Sequence, residues 1–466
     1  MSWDLSNNRV AFKIVQLLTL LVILALPWLL GGQLLELQLV VFVVTLCALL
    51  SSLSQGISGL RIPLILALSL SGYVLVQWAN PAFVQEWQTG LRVWSLVPVD
   101  HITWLPSSID SDFTDASPLR FLLFFLPAVF VSLALFGYRS KGTETLVLTL
   151  ISVNSALIGL VGLIQLNLES RSTLGLFQAV DEGMNLFYAT FLYKNQAAAF
   201  LNLGMAASFV GFFLSARNSQ SRRSNPSWIF LILAGVLLIG VVFSRSRFGF
   251  VCSLIVLFSF VPLAMKQLRQ SAISKKWMAF VSAFMAIVVL GGGTYLFNTK
   301  GTKHLKTLST EITEDFSFKQ RQLAYKSELR MFAEKTIYGW GAGNFRHGFR
   351  RFQDMESERE QIRNNYMERH ELNFFWQHAH NDYLEWLIEL GVVGTLILFS
   401  IPGYFFWIIF KSKLWKDPVP LMLLTGLGST MVHGLIDFPF RNPAVLVTWL
   451  ALLAVIARLC EPKGTK

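Results

Sequence analysis

Apolar stretches of bilayer length recur from one end of this chain to the other, and they leave it one class of fold. They run near residues 10–30, 34–50, 62–79, 119–136, 146–166, 196–215, 228–243, 248–265, 277–297, 391–410, 419–436 and 443–459. Spans of roughly 17–25 residues cross a hydrocarbon core as helices. Lipid offers no partner to backbone N–H and C=O groups, so each span must satisfy them internally. The expectation is an all-α integral membrane protein of about twelve transmembrane helices. Charged residues make up 14% of the chain, against about 25% in soluble domains. The first span lacks a small-residue cleavage site and reads as a retained helix rather than a signal peptide.

A formal net charge of +11 would suit nucleic acid, but its distribution argues against that partner. The basic residues Arg9/Lys13, Arg61, Arg139/Lys141, Arg217/Arg222/Arg223, Lys266/Arg269/Lys275/Lys276, Lys411/Lys413/Lys416 and Arg458/Lys463/Lys466 occupy alternate loops. In a twelve-helix arrangement all of them fall on one side, which the positive-inside rule makes cytoplasmic. Both termini are then cytoplasmic, and the lipid bilayer is the partner that the charge addresses.

Three domains follow. Residues 1–297 carry helices one to nine, with external loops 80–118 and 167–195. Residues 298–381 form a large external loop, and 382–466 hold helices ten to twelve. Loop 80–118, with Trp87, Trp94 and Trp104, reads as a cap at the membrane interface, where indoles settle. The large loop reads as helical over Phe318–Glu334 and Ser357–Glu371. Between them Gly339, Gly341 and Gly343 punctuate a turn whose N–H groups could approach a phosphate or sugar. Cys47, Cys252 and Cys460 are too scattered for a disulfide framework or a metal cage.

The candidate chemistry gathers on the external side. His380-Asn381 stands at the mouth of an apolar helix, followed after nine residues by Gly391 and then Gly394. The helix from Asp382 should extend beyond the membrane, with Asn381, Glu385 and Glu389 on one face. His380 is either an interface histidine or a general base working near neutral pH. His378 and Asp382 lack a convincing metal spacing, and no carboxylate cluster suggests a bound divalent cation. Arg245 and Arg247 sit in a very short turn; they either snorkel or bind an anion, for which guanidinium is suited. On composition Arg321 is a solvated charge and Asn195 a helix N-cap. His433 and Asp437, one helical turn apart, are either a structural pair or functional intramembrane ionisables.

Together these segments resemble the O-antigen ligase and O-antigen polymerase superfamily of bacterial envelopes, over roughly residues 190–445. His380-Asn381, nine residues, Gly391 and Gly394 match its best-known motif. Ser244-x-Ser246-Arg247-x-Gly249 resembles its Ser-Arg turn. Tyr193-Lys194-Asn195-Gln196-x-Ala198 resembles an Asn-Arg-Asn-His-x-Ala segment, with Tyr193 and Gln196 as departures. Arg321 through Tyr325 with Gly339-x-Gly341-x-Gly343-x-Phe345 resembles its large-loop signature, and His433-Gly434-x-x-Asp437-Phe438 with Pro443 its last block.

The resemblance implies a GT-C-like membrane glycosyltransferase that needs no metal and no cofactor. Its donor would be an undecaprenyl diphosphate-linked glycan in the periplasmic leaflet of the bacterial inner membrane. Its acceptor would be a hydroxyl of another glycan, for a polymerase, or of lipid A-core, for a ligase; ligases that modify proteins belong to the same group. Arg247 and Arg321 would neutralise the leaving diphosphate and His380 would activate the acceptor. Asp382 would orient that imidazole. Arg245, Lys194, Asn195, Asn381, His433 and Asp437 would help bind substrate. The large loop and the final His-x-x-x-Asp block favour a polymerase of surface or exopolysaccharides, with the ligase as the alternative. A lipid-linked-sugar transporter is a third reading, which broken helices near the midplane would favour.

Overall fold

The computed structural model describes residues 16–53, 59–89, 93–111, 117–137, 142–168, 172–173, 177–178, 187–218, 227–268, 283, 286–287, 289–294, 316–353 and 376–461. Eight helices among them are long and apolar enough to cross a membrane. They are α2 (Leu35–Leu53), α3 (Arg61–Ala79), α4 (Pro118–Gly137), α5 (Thr143–Asn167), α6 (Lys194–Asn218), α8 (Arg247–Leu268), α11 (Asp382–Ser412) and α13 (Pro443–Cys460). Shorter apolar helices are α1 (Gln16–Trp28), α7 (Ser227–Phe243) and α12 (Pro418–His433). Two helices, α9 (Phe316–Glu334) and α10 (Phe345–Phe349), lie in the large loop. The chain is a multi-pass membrane protein. Each expected span but one coincides with a helix; the exception, 277–297, lies largely outside the described residues, of which 289–294 are helical. The expected helix over Ser357–Glu371 lies outside them as well.

Burial sorts the helices by the chemistry of their surfaces. A helix that is apolar all round belongs in the middle of a bundle, and α6, α13 and α4 are buried along most of their length. By contrast α2 exposes Leu39, Val40, Val43 and Leu50, and α3 exposes Ile62, Ile65 and Leu68, as lipid-facing helices do. The last three helices begin on side-chain caps. Asn381, Asp417 and Asn442 each accept backbone N–H bonds from the first turns of α11, α12 and α13, the last two followed directly by Pro.

Not all of the chain is helical. Segment 80–118 contains three strands, β1 (Pro81–Gln88), β2 (Val93–Pro98) and β3 (Ser108–Asp110), in the order β2-β1-β3. β1 and β2 pair antiparallel, setting Trp87 opposite Trp94, and β1 and β3 pair parallel. These short strands stand apart from an otherwise mostly helical chain, in the segment read from its sequence as an interfacial cap. Phe83 of β1 stacks on Trp340 at 5.6 Å, and Asn344 bonds both the N–H and the carbonyl of Ile109. The small sheet thereby packs against the large loop.

The glycine-punctuated turn has a different use from the one its spacing suggests. Trp340 N and Gly341 N donate to Ile388 O and Glu389 O, both at 2.9 Å. Val392 N and Val393 N donate back to Thr336 O and Ile337 O. Gly391, at φ 63° and ψ −175°, breaks α11 between these bonds. Such a backbone is essentially restricted to glycine, and a Cβ on Gly391 would meet Ile337 O at 2.3 Å. The turn therefore clasps a broken helix. Its Trp340 and Gly341 N–H groups, with that of Ala342 on Gln77 Oε1 at 3.0 Å, are occupied and do not form a phosphate cradle. Tyr73 OH and Gln77 Nε2 of α3 secure the clasp through Tyr338 O, Leu390 O and Glu389 O.

Candidate active site

His380 stands one residue before the N-cap of α11, with φ at 50°. The left-handed turn is uncommon for a residue with a Cβ. Tyr325 OH donates to the His380 carbonyl at 3.1 Å. The imidazole meets Trp376 and Phe438 edge to face, each at 4.9 Å between ring centroids. Nδ1 lies 3.8 Å from Oδ1 of Asp437, beyond hydrogen-bond length, and has no hydrogen-bond partner. The side chain keeps 18% of its surface exposed. Burial lowers its pKa from 6.5, with Asp437 acting in the opposite sense. The ring is thus an uncharged base at neutral pH.

Asp437 is the meeting point of the site. Its Oδ2 accepts from Asn195 Nδ2 and, at 3.3 Å, from Tyr193 OH. Arg321 Nη2 lies 3.7 Å from the same oxygen while Nη1 donates to Ile436 O at 3.0 Å. Burial alone would raise the Asp437 pKa, but His380, His433 and Arg321 outweigh it and hold the carboxyl down at about 2. The site therefore joins α6, α9, the turn before α11 and the turn after α12.

Several residues are placed otherwise than their sequence context suggests. Asn195 is not an N-cap: it lies within α6, and its amide bonds Tyr193 and Asp437. Tyr193, a departure from the family pattern, stacks on Phe438 at 5.0 Å and is built into the site. Gln196, the other departure, spans Phe438 O and Asn442. Lys194 is half-buried at the first residue of α6. Asp382 does not orient the imidazole. It is buried, its Oδ2 accepts from Phe440 N at 3.0 Å, and the carboxylate beside His380 is that of Asp437. Asn381 is the N-cap of α11, which aims the turn.

Arg245 and Arg247 are exposed in the α7–α8 turn, Arg245 at φ 58°. The serines around them make that turn: Ser244 Oγ bonds Val241 O and Ser246 N, and Ser246 Oγ caps α8 through Gly249 N. Phe248, next to Arg247, packs 5.5 Å from His433, which is fully buried. His433 lies within electrostatic reach of Asp437. The arginine turn thus adjoins the Asp437 cluster through Phe248 and His433.

A second ionic group went unread in the sequence. Arg441, 7% exposed, places Nε 3.1 Å from Glu385 Oε1 and donates from Nη2 to Glu389 Oε2 at 2.7 Å. Glu385 also accepts from Ala379 N at 2.8 Å and from His378 Nδ1 at 2.9 Å. Glu328, on the same face of α9 as Arg321 and Tyr325, is buried with neither oxygen hydrogen-bonded. Burial, then Glu385, pushes its pKa well above the carboxylate range. The shared face of Glu385 and Glu389 was the available signal. Arg441 offered none, being a single cation between two apolar spans.

Residues 230–399 match the family model described as O-antigen ligase. That stretch is similar to the O-antigen ligase family and supports a place in the O-antigen ligase and polymerase superfamily. The match takes in Arg245, Arg247, Arg321 and His380, and leaves Asn195, Asp437 and Arg441 to either side. No curated protein matches the chain. The O-antigen ligase family is one of membrane enzymes of the glycosyltransferase kind, acting broadly on lipid-linked glycans.

Proposed function

We propose that this O-antigen ligase-family protein transfers a glycan from undecaprenyl diphosphate to an acceptor hydroxyl at the periplasmic face of the bacterial inner membrane. The observation that carries the reading is the convergence of His380, Arg321 and Asn195 on Asp437. The negative charge of Asp437, 3.8 Å from Nδ1 and short of a hydrogen bond, favours a hydrogen on that side of the ring, which leaves the Nε2 lone pair of His380 as the base. The acceptor O–H bond breaks and its proton goes to Nε2. The new glycosidic C–O bond forms as the anomeric C–O bond to diphosphate breaks, and the diphosphate departs with that electron pair. Arg321 and Arg247 balance its charge, with Arg245 beside them. Guanidinium groups take the place that a divalent cation holds elsewhere, so the reaction needs no metal.

The acceptor we favour is a second lipid-linked glycan, making the protein a polymerase of surface or exopolysaccharide. The second reading is a ligase onto lipid A-core or protein; the family match is compatible with either. Against transport stands the position of the break in α11. From Val392 to Ser412 about 20 residues remain, roughly 30 Å of helix, enough to cross a bilayer core without the broken part.

Purified protein given a lipid diphosphate-linked donor in EDTA should lengthen the glycan without lipid A-core, and release undecaprenyl diphosphate. Product formed only when lipid A-core is present would select the ligase. Loss of activity restored by Mg²⁺ or Mn²⁺ would overturn the metal-free mechanism.

A further inference from the structure

His378 has no part in the chemistry above, yet its Nδ1 makes the hydrogen bond that Nδ1 of His380 lacks. Its Nδ1 donates to Glu385 Oε1 at 2.9 Å. That carboxylate is buried, 1% exposed, and fixed from two other sides by Arg441 at 3.1 Å and Ala379 N at 2.8 Å. An ionised carboxylate only accepts, so a neutral His378 must carry its hydrogen on Nδ1. Nε2 is then a lone pair with a set direction. The ring lies over Phe438, 4.5 Å between centroids and 30° from parallel, which fixes its plane. One third of the side chain remains exposed, 33%. The same Phe438 supports His380 from another direction, and His378 lies within electrostatic reach of that imidazole.

We propose that His378, held in one tautomer by the Arg441–Glu385 pair, is the contact that binds the acceptor sugar, its Nε2 accepting a hydrogen bond from a hydroxyl beside the one that reacts. The inference rests on the glycosyl-transfer reading. A sugar presents adjacent hydroxyls, each a donor and an acceptor. A lone pair of fixed direction beside the base selects an acceptor held in the reactive orientation. Glu385 and Arg441 are positioning residues that act through His378. Phe438 is the common wall that sets the two imidazoles against one substrate.

The test uses the full-length protein in lipid nanodiscs. Binding of the undecaprenyl diphosphate-linked glycan as donor, and of the same glycan freed of its lipid diphosphate as an acceptor that cannot act as donor, is measured separately at equilibrium, and transfer kinetics alongside. The donor is monitored by its own binding constant and the acceptor by its KM. His378→Ala should weaken acceptor binding and raise acceptor KM about tenfold, the scale of one hydrogen bond. Donor affinity should stay within twofold. His378→Gln should recover part of the loss, because an amide still presents an acceptor atom. Glu385→Gln should raise acceptor KM as well, since it frees the tautomer while leaving the side chain's shape.

An acceptor that binds wild type and His378→Ala alike overturns the inference whether or not transfer is seen. So does a loss spread equally over donor and acceptor, which would mark His378 as structural. A wild-type protein that binds acceptor through His378 but transfers nothing would instead overturn the proposed reaction.

Discussion

Arg321 faces Asp437 at 3.7 Å between Nη2 and Oδ2, joining the large loop to the turn that follows α12. The pair is partly solvated on the arginine side, where the side chain is 20% exposed, and dry on the aspartate side. An arriving diphosphate would compete with Asp437 for the same guanidinium. Arg321→Ala should therefore weaken donor binding and lower transfer by 10²-fold or more. Arg321→Lys should recover only part, since an ammonium lacks the planar fork. Donor binding and initial rates on the purified variants are the measurement, and a fully active Arg321→Ala protein would remove Arg321 from the site.

Arg247→Ala should lose more activity than Arg245→Ala. Both side chains are exposed, but Arg247 opens α8 beside Phe248, which packs on His433, while Arg245 sits at the apex of the turn. Polysaccharide assembly in cells, at matched protein levels, ranks the two. Wild-type output from Arg247→Ala would be the contrary result.

His380→Gln should keep donor binding and lose transfer by roughly 10²-fold, the usual contribution of a general base. The lowered pKa sets the sign of the pH dependence. The base is active when neutral, so turnover should be flat near pH 7 and fall as pH drops through a value below 6.5. Removing the neighbouring negative charge with Asp437→Asn takes away what favours the imidazolium. The acid limb should then move to lower pH. An acid limb moved upward would contradict the assigned pair.

Glu328 offers a stability test. Its folded-state pKa is raised, so its contribution to stability is greatest below the unfolded carboxyl pKa and is lost as pH rises toward the folded value. Glu328→Gln mimics the protonated acid and removes that loss. Thermal unfolding of the variant should depend less on pH above about 4.3. A dependence unchanged from wild type would mean that the folded carboxyl is not held above the unfolded value.

Gly391→Ala should prevent correct assembly. The backbone at φ 63°, ψ −175° excludes a side chain, and the added Cβ would lie 2.3 Å from Ile337 O. Gly394→Ala meets side chains rather than backbone, the ring of Tyr73 at 2.5 Å and Leu390 Cβ at 2.9 Å, and Gly394 has no positive φ. Detergent-stable yield of the two variants should differ, with Gly391→Ala the lower.

Hydropathy alone placed the helices, because a backbone in lipid has few ways to satisfy its polar groups. It missed the sheet of residues 81–110, since hydropathy over bilayer-length windows does not register short strands that pair within one loop. His380, Arg321, Asn195 and Asp437 were legible as family motifs. That His380 and Arg321 share a site was implied by those motifs; that Asp437 is the carboxylate on which they and Asn195 meet was not, since the four come from separate parts of the chain. Asp382 misled because it is two residues from His380 in sequence, while the N-cap turn at Asn381 sends it to Phe440 N instead. In α9 the apolar residue Leu329 is exposed while Glu328 is buried, an inversion that an apolar count reads backwards. Arg441 had no pattern of its own; its importance comes from two carboxylates one turn apart on another helix.

The break at Gly391 divides α11 into two mechanical parts. The stub from Asp382 to Leu390 is bonded to the large loop through Trp340 and Gly341, and to Arg441 through Glu385 and Glu389. The part beyond Gly391 is tied to the same loop at its first two residues, where Val392 N and Val393 N bond Thr336 O and Ile337 O, and crosses the membrane from there. Helices tilt to match membrane thickness, and an unbroken α11 would transmit that tilt to its N-terminus. A break at one glycine separates the two, so a tilt of the membrane part need not displace His380 from Asp437.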